Sequence, residues 1–158
     1  MKAKEGVVSV LNTVLAADLA AISQYFVQAK LCQHWGYERL HRELRMRSIR
    51  KMKEADRLIG HILYLEALPK VQRPMTILPG ETVSEQLQRD RQAEQDLLTL
   101  LGDGVRHCAT VADFTTRHLL EHMAQEVDAQ VDWLEMQLDT MAELGIEQYL
   151  AEQSMSDR

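Results

Sequence analysis

Proline is scarce in this chain, and the three that occur, Pro69, Pro74 and Pro79, fall within one short stretch. Proline breaks helices by removing a backbone donor and clashing with the preceding turn. Its confinement leaves the rest of the 158 residues free to be helical. The two cysteines, Cys32 and Cys108, are too few for a disulfide framework and fit a reducing compartment. Only 7 residues are glycine, and 46% hydrophobic against 27% charged residues excludes a disordered chain. Positive charge is in deficit as well. A formal net charge of −6 gives no support to nucleic-acid binding. The first residues lack the basic-then-apolar pattern of a signal peptide, and no apolar run is expected to approach a membrane span. The expectation is one cytoplasmic domain over residues 1–158, without nucleic-acid or membrane partners.

What is there is helical periodicity. Val7, Leu11, Val14, Leu15, Leu19, Ile22, Phe26 and Ala29 make one stripe of a first helix, which Gly36 breaks. Leu40, Leu44, Ile49, Met52, Ala55, Ile59 and Ile62 mark a second, ending near Leu68. The proline stretch 67–82 follows, and Thr82 with Glu85 reads as a capping box for a third helix. That helix carries Val83, Leu87, Glu94, Leu98 and Leu101, and the Gly102-Asp103-Gly104 step should weaken it, at about 1 kcal/mol per glycine. A fourth helix runs from Phe114 through Leu120, Met123, Val127, Val131 and Leu134 to Met141. Gly145 stops it before a short last helix with Ile146, Tyr149 and Leu150. Sixteen extended residues reach roughly 50 Å, and a helix of about 27 residues spans about 40 Å. The second and third helices can therefore run parallel, joined by one long crossover. The fold class is all-α, a four-helix bundle of the ferritin-like kind with a short fifth helix.

Bundles of that kind hold a metal pair with one Glu from each of two helices and Glu-x-x-His from each of the other two. Polar residues do interrupt the apolar stripes, but with different chemistry. Asp18 and Glu94 stand on the first and third helices, Lys51 and Glu54 on the second, and Val127 and Gln130 on the fourth. A protonated lysine has no lone pair to give, and valine has none at all. Asp18 and Glu94 are residual, weak metal candidates. The single Glu-x-x-His, Glu38 to His41, has no matching set and reads as chance. His118 and His122 are expected on a solvated face.

Several blocks in order resemble the bacterioferritins over nearly the whole chain. They are Ala21-Ile22-Ser23-Gln24-Tyr25-Phe26, His34-Trp35-Gly36, Met52-Lys53-Glu54-Ala55-Asp56-Arg57, Ile62-Leu63-Tyr64-Leu65-Glu66-Ala67-Leu68-Pro69, Asp132-Trp133-Leu134-Glu135 and Tyr149-Leu150. The resemblance implies a 24-subunit shell that stores ferric mineral, with haem b shared between two subunits. It makes Met52 the axial ligand of the haem iron, a soft neutral donor that favours the ferrous state. Leu19, Ile22, Phe26 and Ile49 would wall the haem, with Lys53 and Arg45 near its propionates. By the same resemblance the diiron ligands fall on Asp18, Lys51, Glu54, Glu94, Val127 and Gln130. Four of those positions carry foreign residues, and Asp18 is a shortened acid, so no intact diiron centre and no catalysis by this chain alone are expected. Lys51 either pairs internally with Asp18, Glu54 and Glu94 or snorkels to the surface. The basic run Arg42, Arg45, Arg47, Arg50, Lys51, Lys53 is expected to be a solvated face.

The leading function is a haem-carrying structural subunit in a shell mixed with a ferroxidase-competent bacterioferritin subunit. Its implied electron donor is a bacterioferritin-associated ferredoxin docking near Leu68 and Glu81. The alternative is a self-sufficient oxidase using Asp18, Glu54, Glu94 and Glu126 or Asp128. A haem-free shell is the third possibility.

Overall fold

The apolar spacing becomes helix at nearly the expected places. A computed structural model of the chain describes residues 1–70 and 76–155. Its helices, in order, are α1 (Val7–His34), α2 (Glu38–Tyr64), α3 (Val83–Thr110), α4 (Phe114–Leu144) and α5 (Ile146–Gln153). Thr82 caps α3, its hydroxyl accepting from the Glu85 N–H at 3.2 Å. The return bond from Glu85 goes one residue further back than a capping box requires, to the Glu81 N–H at 3.4 Å.

Two sequence expectations fail here for identifiable reasons. α2 ends at Tyr64 rather than near Leu68. Glu66 turns left-handed at φ 59°, and the N–H groups of Glu66 and Ala67 bond back to the carbonyls of Leu63 and Ile62. That pattern closes a helix, and Pro69 disfavours helical backbone at Leu68. In the other case, Gly102 and Gly104 do not interrupt α3, which is continuous. Gly104 is needed for close approach: a Cβ there would lie 2.8 Å from Val10 Cγ1 and 2.9 Å from Leu120 Cδ1.

Short turns at 35–37 and 111–113 make α1/α2 and α3/α4 antiparallel hairpins. Cys32 pairs with Gln86, Tyr25 with Glu94 and the Glu5 carbonyl with His107, so α1 and α3 also run antiparallel. It follows that α2 and α3 are parallel, as a long crossover requires. Residues 71–75 of that crossover, including Pro74, lie outside the described residues. Its last part is tied to α1 by the Gln28 side-chain amide donating to the Pro79 carbonyl at 2.9 Å. α5 packs on α4, with the buried Tyr149 hydroxyl donating to Gln137 Oε1 at 2.8 Å.

The apolar core is split. One cluster includes Leu11, Leu15, Leu58, Ile62, Leu101, Leu120 and Val127. The other includes Tyr25, Leu40, Leu44, Leu87, Leu134 and Tyr149. Between them, in sequence on α1, α2 and α3, lie the buried polar residues Asp18, Arg47, Ser48, Lys51, Glu54, Asp90 and Glu94, and on α4 Gln130 is buried just before the boundary, between Val127 and Val131. The stripe read for α2 is therefore wrong in its middle. Arg47, Ser48, Lys51 and Glu54 face inward, whereas Ile49 and Met52 face outward. The basic run is likewise not one solvated face, because Arg47 and Lys51 share helical spacing with Leu40, Leu44 and Leu58 and are buried with them.

The expectation about membrane-length apolar runs also needs correction. α1 is long and apolar enough, by length and composition only, to cross a membrane. Its alanine-rich flanks raise the average hydropathy, and in the bundle it is a core helix whose inner face includes the buried Asp18 and Gln28.

Candidate functional site

The polar layer centres on Lys51. Helical spacing from Leu44 and Leu58 forces its side chain inward, where it has no solvent exposure, which excludes the snorkelled arrangement. Its Nζ donates to Glu94 Oε2 at 2.9 Å and lies 3.6 Å from Glu54 Oε2 and 3.9 Å from Asp18 Oδ1. Tyr25 donates its hydroxyl to the other Glu94 oxygen at 2.9 Å. One ammonium is thus shared by carboxyl groups from α1, α2 and α3.

Burial pulls the Lys51 ammonium towards neutrality, but Glu94, Glu54 and Asp18 outweigh it, and its pKa lies above the ordinary lysine value. Burial raises Asp18 to about 7 against the opposing pull of Lys51, helped by the charges of Glu94 and Glu126. Glu54 is pushed to about 8 by burial, again opposed by Lys51, with Asp18 and a hydrogen bond to Glu126 adding to the rise. The layer therefore holds exchangeable protons near neutral pH. Neither Asp18 oxygen has a hydrogen-bond partner among the described residues.

Residues that sequence reasoning passed over extend the layer. Asp90 accepts from Gln24 Nε2 at 2.8 Å, and burial raises its pKa to about 7. Arg47 stacks over the Trp133 ring at 3.9 Å and bonds Glu43 at 3.0 Å. The signal was present in the spacing: Arg47, Lys51 and Glu54 recur at helical intervals, as do Gln86, Asp90 and Glu94. Reading only apolar residues for periodicity hides both series.

Of the six positions singled out for a metal pair, the structure brings Asp18, Lys51, Glu54 and Glu94 together. Gln130 is buried and lines a cavity beside Glu54, and Val127 belongs to the apolar cluster. Among the described residues, no group of three or more His, Cys, Asp and Glu is arranged to hold a metal ion. His41 spends its Nδ1 on the Ala29 carbonyl at 2.8 Å. His118 and His122 are exposed, His122 beside Glu126 at 3.2 Å.

The second candidate region lies outside. Phe26, Met46, Ile49 and Met52 are exposed, and Leu19 and Ile22 are half-buried. Ile49, Met52 and Lys53 border one open hollow with Asp56 and Arg57. Arg45, Leu68 and Glu81 are exposed.

With this geometry described, a family profile of the ferritin-like domain matches residues 8–144. A protein described as bacterial ferritin, from Pseudomonas aeruginosa, is 36% identical over 156 residues, covering 97% of this chain and 99% of that protein. Bacterioferritin BfrA of Mycobacterium tuberculosis is 35% identical over 152 residues, 96% of each chain. A bacterioferritin of Brucella melitensis is 32% identical over 149 residues, covering 94% and 92%. The chain belongs to the bacterioferritin family. A bacterioferritin diiron pair does not fit the residues present, because the Lys51 ammonium takes the contacts that the carboxylates would otherwise offer a cation. The outer face differs in kind: the exposed Met52 thioether lies on α2 with exposed Met46 and Ile49, and Phe26 is exposed on α1, a group of side chains whose chemistry would fit an apolar cofactor taking a soft donor.

Proposed function

We propose that this chain is a haem-carrying subunit of an iron-storage shell, and that it depends on a second, ferroxidase-competent bacterioferritin subunit to oxidise Fe²⁺. The observation that carries the reading is Lys51, which satisfies with one fixed charge the carboxyl groups that would otherwise need a metal. A subunit built this way keeps the bundle without keeping the reaction. Arginine and lysine do not donate to metals while protonated, and Lys51 is held protonated by its neighbours.

Met52 would hold the haem iron, with Phe26, Ile49, Leu19 and Ile22 as apolar walls and Lys53 or Arg45 at the propionates. Bound there, haem would supply a one-electron relay for returning stored ferric iron to the ferrous state. The chain's own contribution is an apolar surface on α1 and α2 that a second copy would complete, excluding water from the thioether. We assign the shell 24 subunits and a place in the cytoplasm. A bacterioferritin-associated ferredoxin meeting the exposed Leu68 and Glu81 would be the electron donor. The iron itself is cargo.

The test is aerobic Fe²⁺ oxidation by the purified homomer, with the Soret region recorded on the same sample. Oxidation no faster than buffer, together with a haem band lost in Met52→Leu, is the expected result. Saturable oxidation abolished by Glu54→Gln would instead establish the carboxyls around Glu54 and Glu126 as a self-sufficient oxidase site. Absence of any haem band under haem-replete expression would leave a haem-free shell.

A further inference from the structure

A cavity of about 350 Å³ opens between α2 and α4, bordering the polar layer at Arg47, Glu54 and Gln130 and sharing Lys53 and Arg57 with the outer hollow. Arg47, Arg50, Lys53 and Arg57 line it from α2, with Glu54 on the same helix and Glu126, Ala129 and Gln130 from α4. Intervals of three and four residues place the four cations on one side of the helix. Two carboxyl groups oppose them, and both are already engaged. Glu126 lies 3.0 Å from Arg57 and 3.2 Å from His122, and Glu54 lies 3.6 Å from Lys51.

Arg47 gives the cavity its chemistry. The residue is 3% exposed, and although one terminal nitrogen reaches Glu43, its Nε and Nη1 have no hydrogen-bond partner among the described residues. A buried charged donor without an acceptor is costly, more so than a neutral one. The planar guanidinium fork matches the oxygens of a phosphate or carboxylate two at a time. Several cations on one wall favour a compact ion of more than one negative charge over a monocarboxylate. Ala129 is the one apolar side chain among the lining residues, so nothing there would welcome an apolar ligand body.

We propose that this cavity binds a phosphoryl oxyanion, as free phosphate or as the phosphate of a small ester. Arg47 is the buried anchor, Arg57 is exposed and paired with Glu126, and Arg50 and Lys53 are exposed clamps. The site does not require the haem or mixed-shell reading, although it shares Lys53 with the propionate role proposed there.

The experiment is titration calorimetry of the assembled protein with inorganic phosphate in a chloride background, and in parallel with glycerol 3-phosphate. Arg50 and Lys53 are exposed, so the double variant Arg50→Gln, Lys53→Gln should fold normally. Saturable binding of phosphate, weakened about tenfold or more in that variant through loss of two charge-assisted contacts, is the expected result. Tighter binding of the free ion points to phosphate and tighter binding of the ester to a phosphomonoester; either supports the site. No saturable heat at millimolar phosphate would overturn it. So would an unchanged affinity in the double variant, or displacement by chloride at equal concentration. Trp133 emission offers a check on position: with Arg47 stacked on its ring, binding in the cavity should shift it, and binding elsewhere should not.

Discussion

The two apolar clusters and the polar layer between them are held by different physics. In a cluster, each side chain contributes by leaving water, and its loss costs a cavity that is local and the same at every pH. In the layer, burial alone is unfavourable for every member, and each is stable there only while its partners remain. Lys51 shows this most clearly, with no exposure and three carboxyl groups around it. The middle of α2 even turns the usual arrangement inside out, charged residues inward and Ile49 and Met52 outward. The inward charges centre on the contacts of Lys51 with Asp18, Glu54 and Glu94, and the outward apolar face is the one proposed above to receive haem and a second copy.

The largest effect should come from removing the central cation. Lys51→Met keeps length and volume but strands Asp18, Glu54 and Glu94, and should lower unfolding stability by about 3–5 kcal/mol. Leu120→Ala in the apolar cluster should cost a similar amount, about 2–5 kcal/mol, so the size alone does not separate the two kinds of core. Rescue does. Adding Asp18→Asn, Glu54→Gln and Glu94→Gln should restore most of the loss in Lys51→Met and none of the loss in Leu120→Ala. Urea unfolding of these four variants and the parent decides it, and an unchanged midpoint for Lys51→Met would mean that charge does not hold the layer.

The difference between the regions also explains what could be read from the sequence. The helices, the crossover and most of the apolar clusters follow from the spacing of hydrophobic residues, because burial of such residues is what that spacing records. The layer was half legible. Lys51 and its three carboxyl groups were found by looking for breaks in the stripes, yet whether Lys51 turned in or out depended on whether partners sat within reach, which only three-dimensional placement decides. Arg47 and Asp90 were missed because a buried charge looks like a surface charge in one dimension. Gly104 misled in the opposite sense: its helix propensity is poor, but the decisive fact is how closely Val10 and Leu120 approach. The membrane test on α1 fails similarly, since average hydropathy does not see that Asp18 is answered by a lysine on another helix.

The second prediction separates the regions by pH. Asp18, Glu54 and Asp90 hold protons in the folded chain to about 7, about 8 and about 7, whereas the unfolded chain releases them near the ordinary carboxylate values. Between those limits the folded state binds more protons, so stability falls as pH rises from about 4 to about 8 and levels off above. Each fully differential proton contributes a slope of about 1.4 kcal/mol per pH unit. The Lys51 contribution has the other range, present below the ordinary lysine value and lost only as pH climbs through its raised one. Asp90→Asn should flatten part of the acid-side slope and make the variant more stable than the parent at pH 8. Leu120→Ala should instead displace the whole curve downward. Denaturant midpoints at pH 5, 6, 7 and 8 test both, and parallel curves for Asp90→Asn and the parent would remove Asp90 from the account.

Gly104→Ala probes the packed side of the comparison. Alanine gains about 1 kcal/mol in helix propensity, but its methyl would press on Val10 Cγ1 and Leu120 Cδ1, and overpacking costs about 1–3 kcal/mol. The expected net is a loss of about 1 kcal/mol, read from thermal unfolding. The double variant with Leu120→Ala, which clears one contact, should lose less than the sum of its parts. Strict additivity would show that the glycine is not there for packing.

The smallest effect concerns the turns that set the helices in place. Gly36 and Ala112 close α1 and α3 in the same way, each left-handed, at φ 86° and 57°, with its own N–H and the next bonded back into the last turn. One is a glycine and the other is not. A side chain in that conformation costs about 1–2 kcal/mol, while glycine's greater freedom in the unfolded chain returns about 0.4–1 kcal/mol. Ala112→Gly should therefore gain roughly 0.5 kcal/mol, and Gly36→Ala should lose about as much, since nothing among the described residues lies within 4 Å of a Cβ placed at Gly36. Matched, opposite shifts in melting temperature would show that backbone conformation alone sets both. A loss instead of a gain for Ala112→Gly would mean that the freer backbone loosens the bond in which the residue-112 carbonyl accepts from Lys4 Nζ at 2.8 Å, tying the amino-terminal segment to the end of α3.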